Sequence, residues 1–437
     1  MENDQKVIGR AGTLRVFPTN RFKTGMLSVL TVLPPDPVRT PLERLLFSVL
    51  CRGTEKYPTV ASLNRRMDEL YASGLSVRST RYGNYQLFGF RADFLEERYI
   101  PDGCDVTDGM LEIVEQLLFH PLLENGRFSE AYLASEKKLQ CDAIRAAQSN
   151  PQAYAVRRCQ EMLYGDDPFV VSQLGTEELV KGFTGDDLLA ESVRLFGSAE
   201  RPGVPFQFVY VGSMSPDAMA HRLENRFGSY TAGERVSVGT PVPQFGGTLR
   251  SATEEMPVAQ SRLVIAVPTG VTLNSPEFYA MLVLNEMLGV SPASKLFLEV
   301  REKKSLCYHC ASSYDFYKGV IYITAGIRRE NREAATEGIF LQLEALRRGD
   351  FTEDELQVAK KSLANSYRQI PDNPGAIEGY AFGRALYGVR TTVEETMVHF
   401  GNVTREDLIA AAGRLNPEIL FFLDGTGKGG EEDDDEN

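Results

Sequence analysis

The sequence predicts an α/β (α+β) protein made of two homologous halves, in which sheets pack against helices. Three observations predict this class. The chain contains an internal repeat, the order of strands and helices around the two copies is the same, and a segment rich in Gly, Pro and Thr lies between them. With 437 residues, the chain is also too long for one ordinary hydrophobic core.

The repeat relates residues 128–165 to residues 351–388 without a gap. Twelve of the 38 aligned positions are identical, at a constant offset of 223 residues, and they include the pair Pro151 and Pro374. Unrelated sequences of ordinary composition would share about two identities over this length. We therefore interpret the chain as a duplication.

A weaker similarity continues after each copy, as a helix followed by a strand. Thr184 and Thr404 are each placed to cap such a helix, whose first turn is acidic. The helix and strand are predicted at 183–196 and 206–212 in the first half, and at 403–415 and 418–425 in the second. Earlier in each half, strands are predicted at 27–34, 85–94, 262–270 and 320–327, and helices at 40–53 and 275–289.

These features divide the chain into four segments. The N-terminal half is predicted at 1–230, the linker at 231–249, the C-terminal half at 250–424 and an acidic tail at 425–437. The tail combines glycines with a run of like charges that repel each other and bury nothing, so we expect it to be disordered.

Composition and charge exclude several function classes. A net charge of −13 excludes nucleic acid as a partner, because phosphate binding needs a basic surface. No run of 18 apolar residues is present, so we expect no membrane partner. The N-terminus lacks the features of a secretory signal, which favours a cytoplasmic protein. Six cysteines are too few for a disulfide scaffold, so we expect reduced thiols.

Two segments resemble a known family of zinc peptidases. Residues 42–74 are similar to the active-site helix of the inverzincins, the insulinase, pitrilysin and mitochondrial processing peptidase family, and REKKSLCY at 301–308 resembles a second signature of that family. The resemblance covers nearly the whole chain. It implies two sub-units in each half and a clam-like chamber between the halves. Residues 63–77 are similar to a subgroup associated with the 5-aminopentanol modification of elongation factor P.

The zinc motif of the active family members is lost in this chain. Those members carry H-x-x-E-H on one helix, two zinc-binding histidines around a catalytic glutamate. Aligned on residues 53–54, the three positions fall on Arg44, Phe47 and Ser48, and the family's third ligand falls on Ala143. Arginine has no lone pair to donate, phenylalanine and alanine have no polar side-chain atom, and a serine hydroxyl is a poor zinc ligand. The resemblance therefore implies a non-catalytic chain without a metal or another cofactor.

No replacement metal site is predicted. The four histidines, at 120, 221, 309 and 399, are scattered and form no H-x-x-x-H pair. Cys307 and Cys310 form a C-x-x-C motif, but regular strand alternation would place them on opposite faces, about 10 Å apart. That exceeds the reach of a disulfide, about 7 Å between Cα atoms, so we predict neither a metal site nor a redox site there.

Arg301 and Tyr308 of the second signature are the candidate substrate-binding residues. A helix is predicted at 294–305 with Leu296 and Val300 on its apolar face, so that Arg301 lies near its end and Tyr308 on the following strand. A guanidinium group and a phenol hydroxyl both suit a peptide carbonyl and the negative charge that it gains when attacked. Taken without the family, a helix-end cation and a half-buried strand aromatic are the favoured alternative.

The resemblance implies a function in a complex. Several bacterial family members consist of two chains, one with the zinc motif and one with only the Arg/Tyr pair. We therefore expect this chain to form a heterodimer with a zinc-motif-bearing paralogue, and to bind a peptide or unfolded polypeptide with it. The alternative is a non-proteolytic peptide-binding or structural scaffold, similar to the core subunits of respiratory complexes. An independent enzyme is not favoured, since no G-x-S-x-G, P-loop or dinucleotide motif is present.

Overall fold

The computed structural model describes residues 4–198, 200–234, 238 and 246–427. The chain forms two compact units. Unit 1 comprises Met1–Arg145, Val171–Thr240 and Pro371–Gly383, and unit 2 comprises Ala146–Val170, Pro241–Ile370 and Arg384–Asn437. Residues 235–237 and 239–245 of the predicted linker and 428–437 of the predicted acidic tail lie outside the described residues, and the boundaries of the two halves stay predictions.

The described strands are β1 (Asp4–Ile8), β2 (Gly12–Pro18), β3 (Thr24–Leu33), β4 (Gly74–Tyr82), β5 (Tyr85–Leu95), β6 (Leu123–Glu124), β7 (Arg127–Phe128), β8 (Phe206–Gly212), β9 (Arg250–Met256), β10 (Ser261–Pro268), β11 (Cys307–Asp315), β12 (Val320–Ile327) and β13 (Ile419–Gly425). The strands predicted at 206–212 and 320–327 have the predicted bounds, as β8 and β12.

The described α-helices are α1 (Arg39–Leu50), α2 (Val60–Glu69), α3 (Val106–Phe119), α4 (Glu130–Ser149), α5 (Pro151–Tyr164), α6 (Glu177–Gly182), α7 (Gly185–Phe196), α8 (Pro216–Phe227), α9 (Phe278–Asn285), α10 (Arg332–Arg348), α11 (Glu353–Arg368), α12 (Pro374–Leu386), α13 (Val393–Gly401) and α14 (Arg405–Ala412). Two further segments are π-helical, π1 (Glu286–Val290) and π2 (Leu296–Glu302). None of the described helices combines the length and apolar character needed to cross a membrane.

The two large sheets share one strand order. The sheet of unit 1 has the order β1-β2-β8-β3-β5-β4, and that of unit 2 has the order β11-β12-β10-β13-β9. Apart from β1, the two sheets match strand for strand: β2, β8, β3, β5 and β4 of unit 1 correspond to β9, β13, β10, β12 and β11 of unit 2. In both sheets the pair at the β2 or β9 end is parallel and the other pairs are antiparallel. This is the topology expected of a duplicated α/β unit, and sheets packed with helices confirm the predicted class.

The capping residues of the repeated helix are placed as predicted. Thr184 accepts a hydrogen bond from the backbone N–H of Asp187 at the start of α7, and Thr404 accepts one from Asp407 at the start of α14. In both helices the acidic side chain bonds back to the threonine N–H, which completes a capping box. The same residue chemistry therefore starts the same helix in each unit.

Each sheet is covered by a helix from the repeated segment. In unit 2, Ala155 and Cys159 of α5 are fully buried against the apolar face formed by β10 and β13. In unit 1, the part of α12 before Arg384 places the ring of Phe382 under the guanidinium of Arg15, 5.4 Å away. These contacts hold one helix of the repeated segment against each sheet.

Candidate functional site

The first two vacated zinc positions lie on one face of α1 in unit 1. Arg44 and Ser48 are four residues apart and both are partly buried. The Ser48 hydroxyl donates to the backbone carbonyl of Arg44 at 3.2 Å, so its hydrogen is already used within the helix. Burial lowers the pKa of the Arg44 guanidinium, yet arginine stays cationic at neutral pH and repels a metal cation.

Phe47, at the position of the catalytic glutamate, belongs to the hydrophobic core. Its side chain is fully buried, and its ring centroid lies 5.3 Å from Phe90, 5.8 Å from Phe196 and 6.1 Å from Phe88. Perpendicular and offset arrangements of this kind stabilise aromatic clusters. The position whose glutamate activates water in zinc peptidases is therefore a core packing position of unit 1 in this chain.

The fourth vacated position, Ala143, lies partly exposed on α4. Two turns earlier on α4, the buried carboxylate of Glu136 forms an ion pair with Arg52, which lies just after the end of α1. Gln140 ties the same helix to the start of α1, because its amide donates to the carbonyl of Pro41 at 3.1 Å. The polar groups of this face are thus paired with protein partners.

These residues do not fit a zinc ion. A cation, an apolar ring, a hydroxyl bonded to its own helix and a methyl group occupy the four positions, and none supplies the nitrogen, sulfur or carboxylate ligands that zinc requires. Across the part of the chain that the structure describes, no group of three or more His, Cys, Asp or Glu side chains is arranged to hold a metal.

Next to Arg44, the buried carboxylates of Glu43 and Glu191 share Arg194, and this contact joins α1 to α7. Glu43 is 2% exposed, and its Oε1 accepts a hydrogen bond from Arg194 at 2.6 Å. Arg194 also contacts Glu191, so two carboxylates share one guanidinium. Burial and the neighbouring Glu191 raise the pKa of Glu43 to about 8. A proton is therefore held in this cluster at neutral pH.

Arg301 lies at the end of a π-helix in unit 2. The predicted helix is present, with Leu296 and Val300 fully buried, but its hydrogen bonds are wider than in an α-helix, as between the N–H of Lys303 and the carbonyl of Leu298. The Arg301 guanidinium lies 4.6 Å from the ring centroid of Phe297. Its side chain remains 41% exposed. Short π-helical segments are frequent at functional sites.

Tyr308 occupies a β-bulge at the start of β11. The strand pairs with β12, where Cys307 faces Ile327 and His309 faces Gly326, so that Tyr308 has no residue opposite. Both Tyr308 and His309 consequently point out of the core, and Tyr308 is 58% exposed. The equivalent pair in unit 1, β4 with β5, runs without a register shift. A bulge of this kind turns a side chain away from its regular direction.

The same bulge corrects the prediction for Cys307 and Cys310. We expected these cysteines on opposite faces of the strand, and this was wrong, because the extra residue reverses the alternation between them. Both are buried in the core of unit 2, where Cys307 faces Ile327 and Cys310 faces Ala325 of β12. The bulge therefore spaces the two cysteines like same-face neighbours of a regular strand, ~7 Å apart, at the limit of disulfide reach. The neighbouring Cys310 thiol and the positive charge of Arg301 lower the pKa of the Cys307 thiol.

A pocket of about 520 Å³ joins the two candidate substrate-binding residues in unit 2. Its opening is polar, with two guanidinium groups, one carboxylate, a phenol and an amide. It is lined by Arg301, Glu302, Ser305, Leu306, Cys307, Tyr308, Arg328 and Asn331.

Two polar residues of this pocket were not predicted from the sequence. Arg328 donates from its Nε to the Tyr308 hydroxyl oxygen at 3.1 Å. Asn331 donates from its side-chain amide to the carbonyl of Leu306 at 3.2 Å and so holds the turn before β11. Both follow directly after β12. If β12 had been paired with β11 from the sequence alone, Arg328 would have fallen beside Tyr308. The sequence therefore contained enough information to predict this contact.

Comparison with known proteins shows which proteins this chain resembles. A sequence model described as "Peptidase M16 inactive domain" matches residues 205–363, which include Arg301 and Tyr308. The chain is 27% identical to the "Probable inactive metalloprotease YmfF" of Bacillus subtilis, over 95% of this chain and 96% of that protein. It is 24% identical to the "Uncharacterized zinc protease YmxG" of the same organism, over 83% of this chain and 87% of that one.

Solved structures have the same fold. A conserved protein from Enterococcus faecalis superimposes with a TM-score of 0.88 at 24% identity, covering 97% of this chain and 98% of that one. A peptidase M16 inactive domain from Pseudomonas fluorescens superimposes with a TM-score of 0.80 at 17% identity, covering 98% and 99%. Together with the relatives in sequence, these matches confirm the predicted resemblance: the chain is similar to a protein described as a probable inactive metalloprotease, and it shares the fold of a solved peptidase M16 inactive domain.

Proposed function

We propose that this protein is the non-catalytic member of a two-chain peptidase, in which it contributes Arg301 and Tyr308 to the binding of a peptide while a zinc-bearing paralogue performs the hydrolysis. The observation that carries the proposal is the pocket of unit 2. It presents both side chains to solvent in a chain whose zinc positions are filled by residues that bind no metal.

The pocket has the chemistry to hold a peptide backbone. The Tyr308 hydroxyl accepts its hydrogen bond from Arg328, so its own hydrogen is left to donate to a substrate carbonyl. The nearest carboxylate to Arg301, that of Glu302, is 3.7 Å away, which is a loose ion pair at an exposed site. Arg301 can therefore turn its donors to a carbonyl oxygen at little cost.

The π-helix that carries Arg301 also exposes an apolar side chain. Leu298 of π2 is 38% exposed. Exposed apolar side chains of this kind can contact the side chains of a bound peptide.

A partner must supply the chemistry that this chain lacks. Peptide hydrolysis needs an activated water or another nucleophile, and the residues at positions 44, 47, 48 and 143 supply neither a metal nor a base. Bacillus subtilis contains both a relative described as inactive and one described as a zinc protease. This supports, for our chain, a pair made of one zinc-type and one inactive-type member. We propose that this pair is located in the cytoplasm.

Affinity purification of the tagged chain from its native host tests the pairing. We expect a second M16-type chain that carries H-x-x-E-H to co-purify in a fixed ratio. Recovery of the tagged chain without any such protein would contradict the pairing.

The purified complex then tests the role of the pocket. We expect Arg301→Ala and Tyr308→Phe to reduce peptide cleavage at least ~10-fold while the complex stays assembled, since each removes a donor to the substrate. Arg348→Ala is the matched control, because Arg348 is exposed in the same unit and outside the pocket. If all three variants cleave peptides like the wild type, Arg301 and Tyr308 have no role in catalysis. That result would favour the alternative function, in which this chain is a structural scaffold.

A further inference from the structure

The cysteine pair beneath Tyr308 has no part in the proposed peptide binding. Cys307 and Cys310 are separated by two residues that both point outward, and the bulge at Tyr308 places the two sulfur atoms on the same, inner face of β11. Because Cys307 faces Ile327 and Cys310 faces Ala325 of β12, the two cysteines are neighbours on that face. Cys307 also lines the open pocket, while Cys310 lies deeper, at 4% exposed.

We propose that Cys307 and Cys310 are a reversible dithiol–disulfide site at the base of this pocket, with a hydroperoxide as the oxidant and Cys307 as the attacking sulfur. The proposal concerns this chain alone and holds whether or not the chain pairs with a peptidase.

The positions of the two thiols assign their roles. Cys307 lines the pocket, and the neighbouring Cys310 thiol and the positive charge of Arg301 lower the pKa of its thiol. The neighbouring Cys307 thiol and burial raise the pKa of the Cys310 thiol. Thiolates rather than thiols attack peroxides, so the accessible thiol of lower pKa reacts first.

The reaction needs no other reactant. The Cys307 thiolate attacks the O–O bond of hydrogen peroxide, which gives a sulfenic acid on Cys307 and releases hydroxide. Cys310 then loses its proton and its sulfur attacks the Cys307 sulfur, so that the S–S bond forms and the S–O bond breaks. The leaving hydroxide and the proton combine as water. In total, two thiols and one peroxide become one disulfide and two waters.

Oxidation would alter the pocket, because Tyr308 lies between the two cysteines. A disulfide holds its Cβ atoms at about 3.8 Å, so its closure draws the two ends of the bulge together. Tyr308 must then move relative to Arg328, whose Nε lies 3.1 Å from the Tyr308 hydroxyl in the reduced form.

Peptide mass spectrometry of the full-length protein tests the site directly. Trypsin cleaves after Lys304 and Lys318 and releases both cysteines in one peptide, residues 305–318. After brief treatment with dilute hydrogen peroxide and then N-ethylmaleimide, we expect this peptide to lack two hydrogen atoms and to carry no maleimide. Dithiothreitol should restore two reactive thiols.

Cys104 is the internal control, since it is more exposed than Cys307 and lies in unit 1. We expect Cys104 to remain open to maleimide while the pair oxidises, with an oxidation rate at least ~10-fold slower than that of Cys307. If Cys104 oxidises first, and residues 305–318 still carry two maleimides, the proposal is wrong.

Two variants test the assigned order. In Cys310→Ser, peroxide should leave a sulfenic acid on Cys307 that dimedone traps. In Cys307→Ser, Cys310 should stay reduced, and oxidation of Cys310 at the wild-type rate would overturn its assignment as the second sulfur. Thermal unfolding confirms that each variant is folded, and the result on the wild-type protein stands without them.

Discussion

The Nε atom of Arg328 donates a hydrogen bond to the Tyr308 hydroxyl oxygen at 3.1 Å, and both residues line the pocket that contains Arg301. Arg328 follows the last residue of β12, and Tyr308 is the unpaired residue of the bulge in β11. The bulge turns the phenol out of the core, and the guanidinium then fixes the direction of its hydroxyl. Arg328 is accordingly a positioning residue for Tyr308.

Arg328→Ala should weaken peptide binding to the complex by about 3- to 10-fold, which corresponds to roughly 1 kcal/mol for one lost hydrogen bond. The phenol remains, but its hydroxyl is free to rotate. Fluorescence anisotropy with a labelled peptide measures the change in Kd.

A second pair of variants separates positioning from charge. If Arg328 acts through Tyr308, Arg328→Ala should have little further effect in a Tyr308→Phe background, because the hydroxyl is already gone. An equal loss in both backgrounds would contradict the positioning role and indicate a direct contact between Arg328 and the peptide.

Phe47→Ala should destabilise unit 1 by about 3–5 kcal/mol, the cost of removing a fully buried aromatic ring from a packed core. Phe47 contacts three other phenylalanine rings, so the cavity cannot be filled without moving them. Urea unfolding followed by circular dichroism measures the loss.

Ser48→Ala is the matched control on the same helix. Its hydroxyl bonds only to the Arg44 carbonyl, a bond that does little for helix stability, so we expect a change within about 0.5 kcal/mol. A Phe47→Ala variant as stable as Ser48→Ala would show that the glutamate position of the zinc motif is not part of the core.

Glu43→Gln should remove a pH dependence of stability. Because the pKa of Glu43 is raised from 4.5 to about 8, the folded chain holds a proton there that the unfolded chain releases between these two values. Stability should therefore fall as the pH rises from 4.5 to 8, and a shift of this size is worth several kcal/mol. A neutral glutamine removes that cost.

Thermal unfolding at pH 5.5 and at pH 8.5 measures the effect. We expect Glu43→Gln to gain stability relative to the wild type at pH 8.5 and to gain little at pH 5.5. An equal change at both pH values would mean that Glu43 does not titrate between them, which contradicts the prediction.

Much of the fold follows from local sequence signals. The strands at 206–212 and 320–327, the capping boxes of Thr184 and Thr404, and the repeat at an offset of 223 are all visible as patterns, because apolar runs, cap residues and gap-free identity each have a direct physical cause. The buried Leu296 and Val300 likewise follow from helical periodicity.

The site was less predictable, because it depends on departures from regular geometry. The bulge at Tyr308 inserts one extra residue, which residue propensities do not predict. As a result, Cys307 and Cys310 lie on the same face of the strand and not on opposite faces. The π-helical form of 296–302 and the contact of Arg328 with Tyr308 depend on pairing between elements, which the pattern of a single segment does not contain.

Metal content and activity of the isolated chain test the central claim most directly. After incubation with excess Zn²⁺ and removal of free ion, elemental analysis of the purified wild-type chain should find less than ~0.1 zinc per chain, since a structural or catalytic site would bind tightly enough to stay filled. The same sample should not cleave peptides. Close to one zinc per chain, together with hydrolysis by this chain alone, would contradict the account.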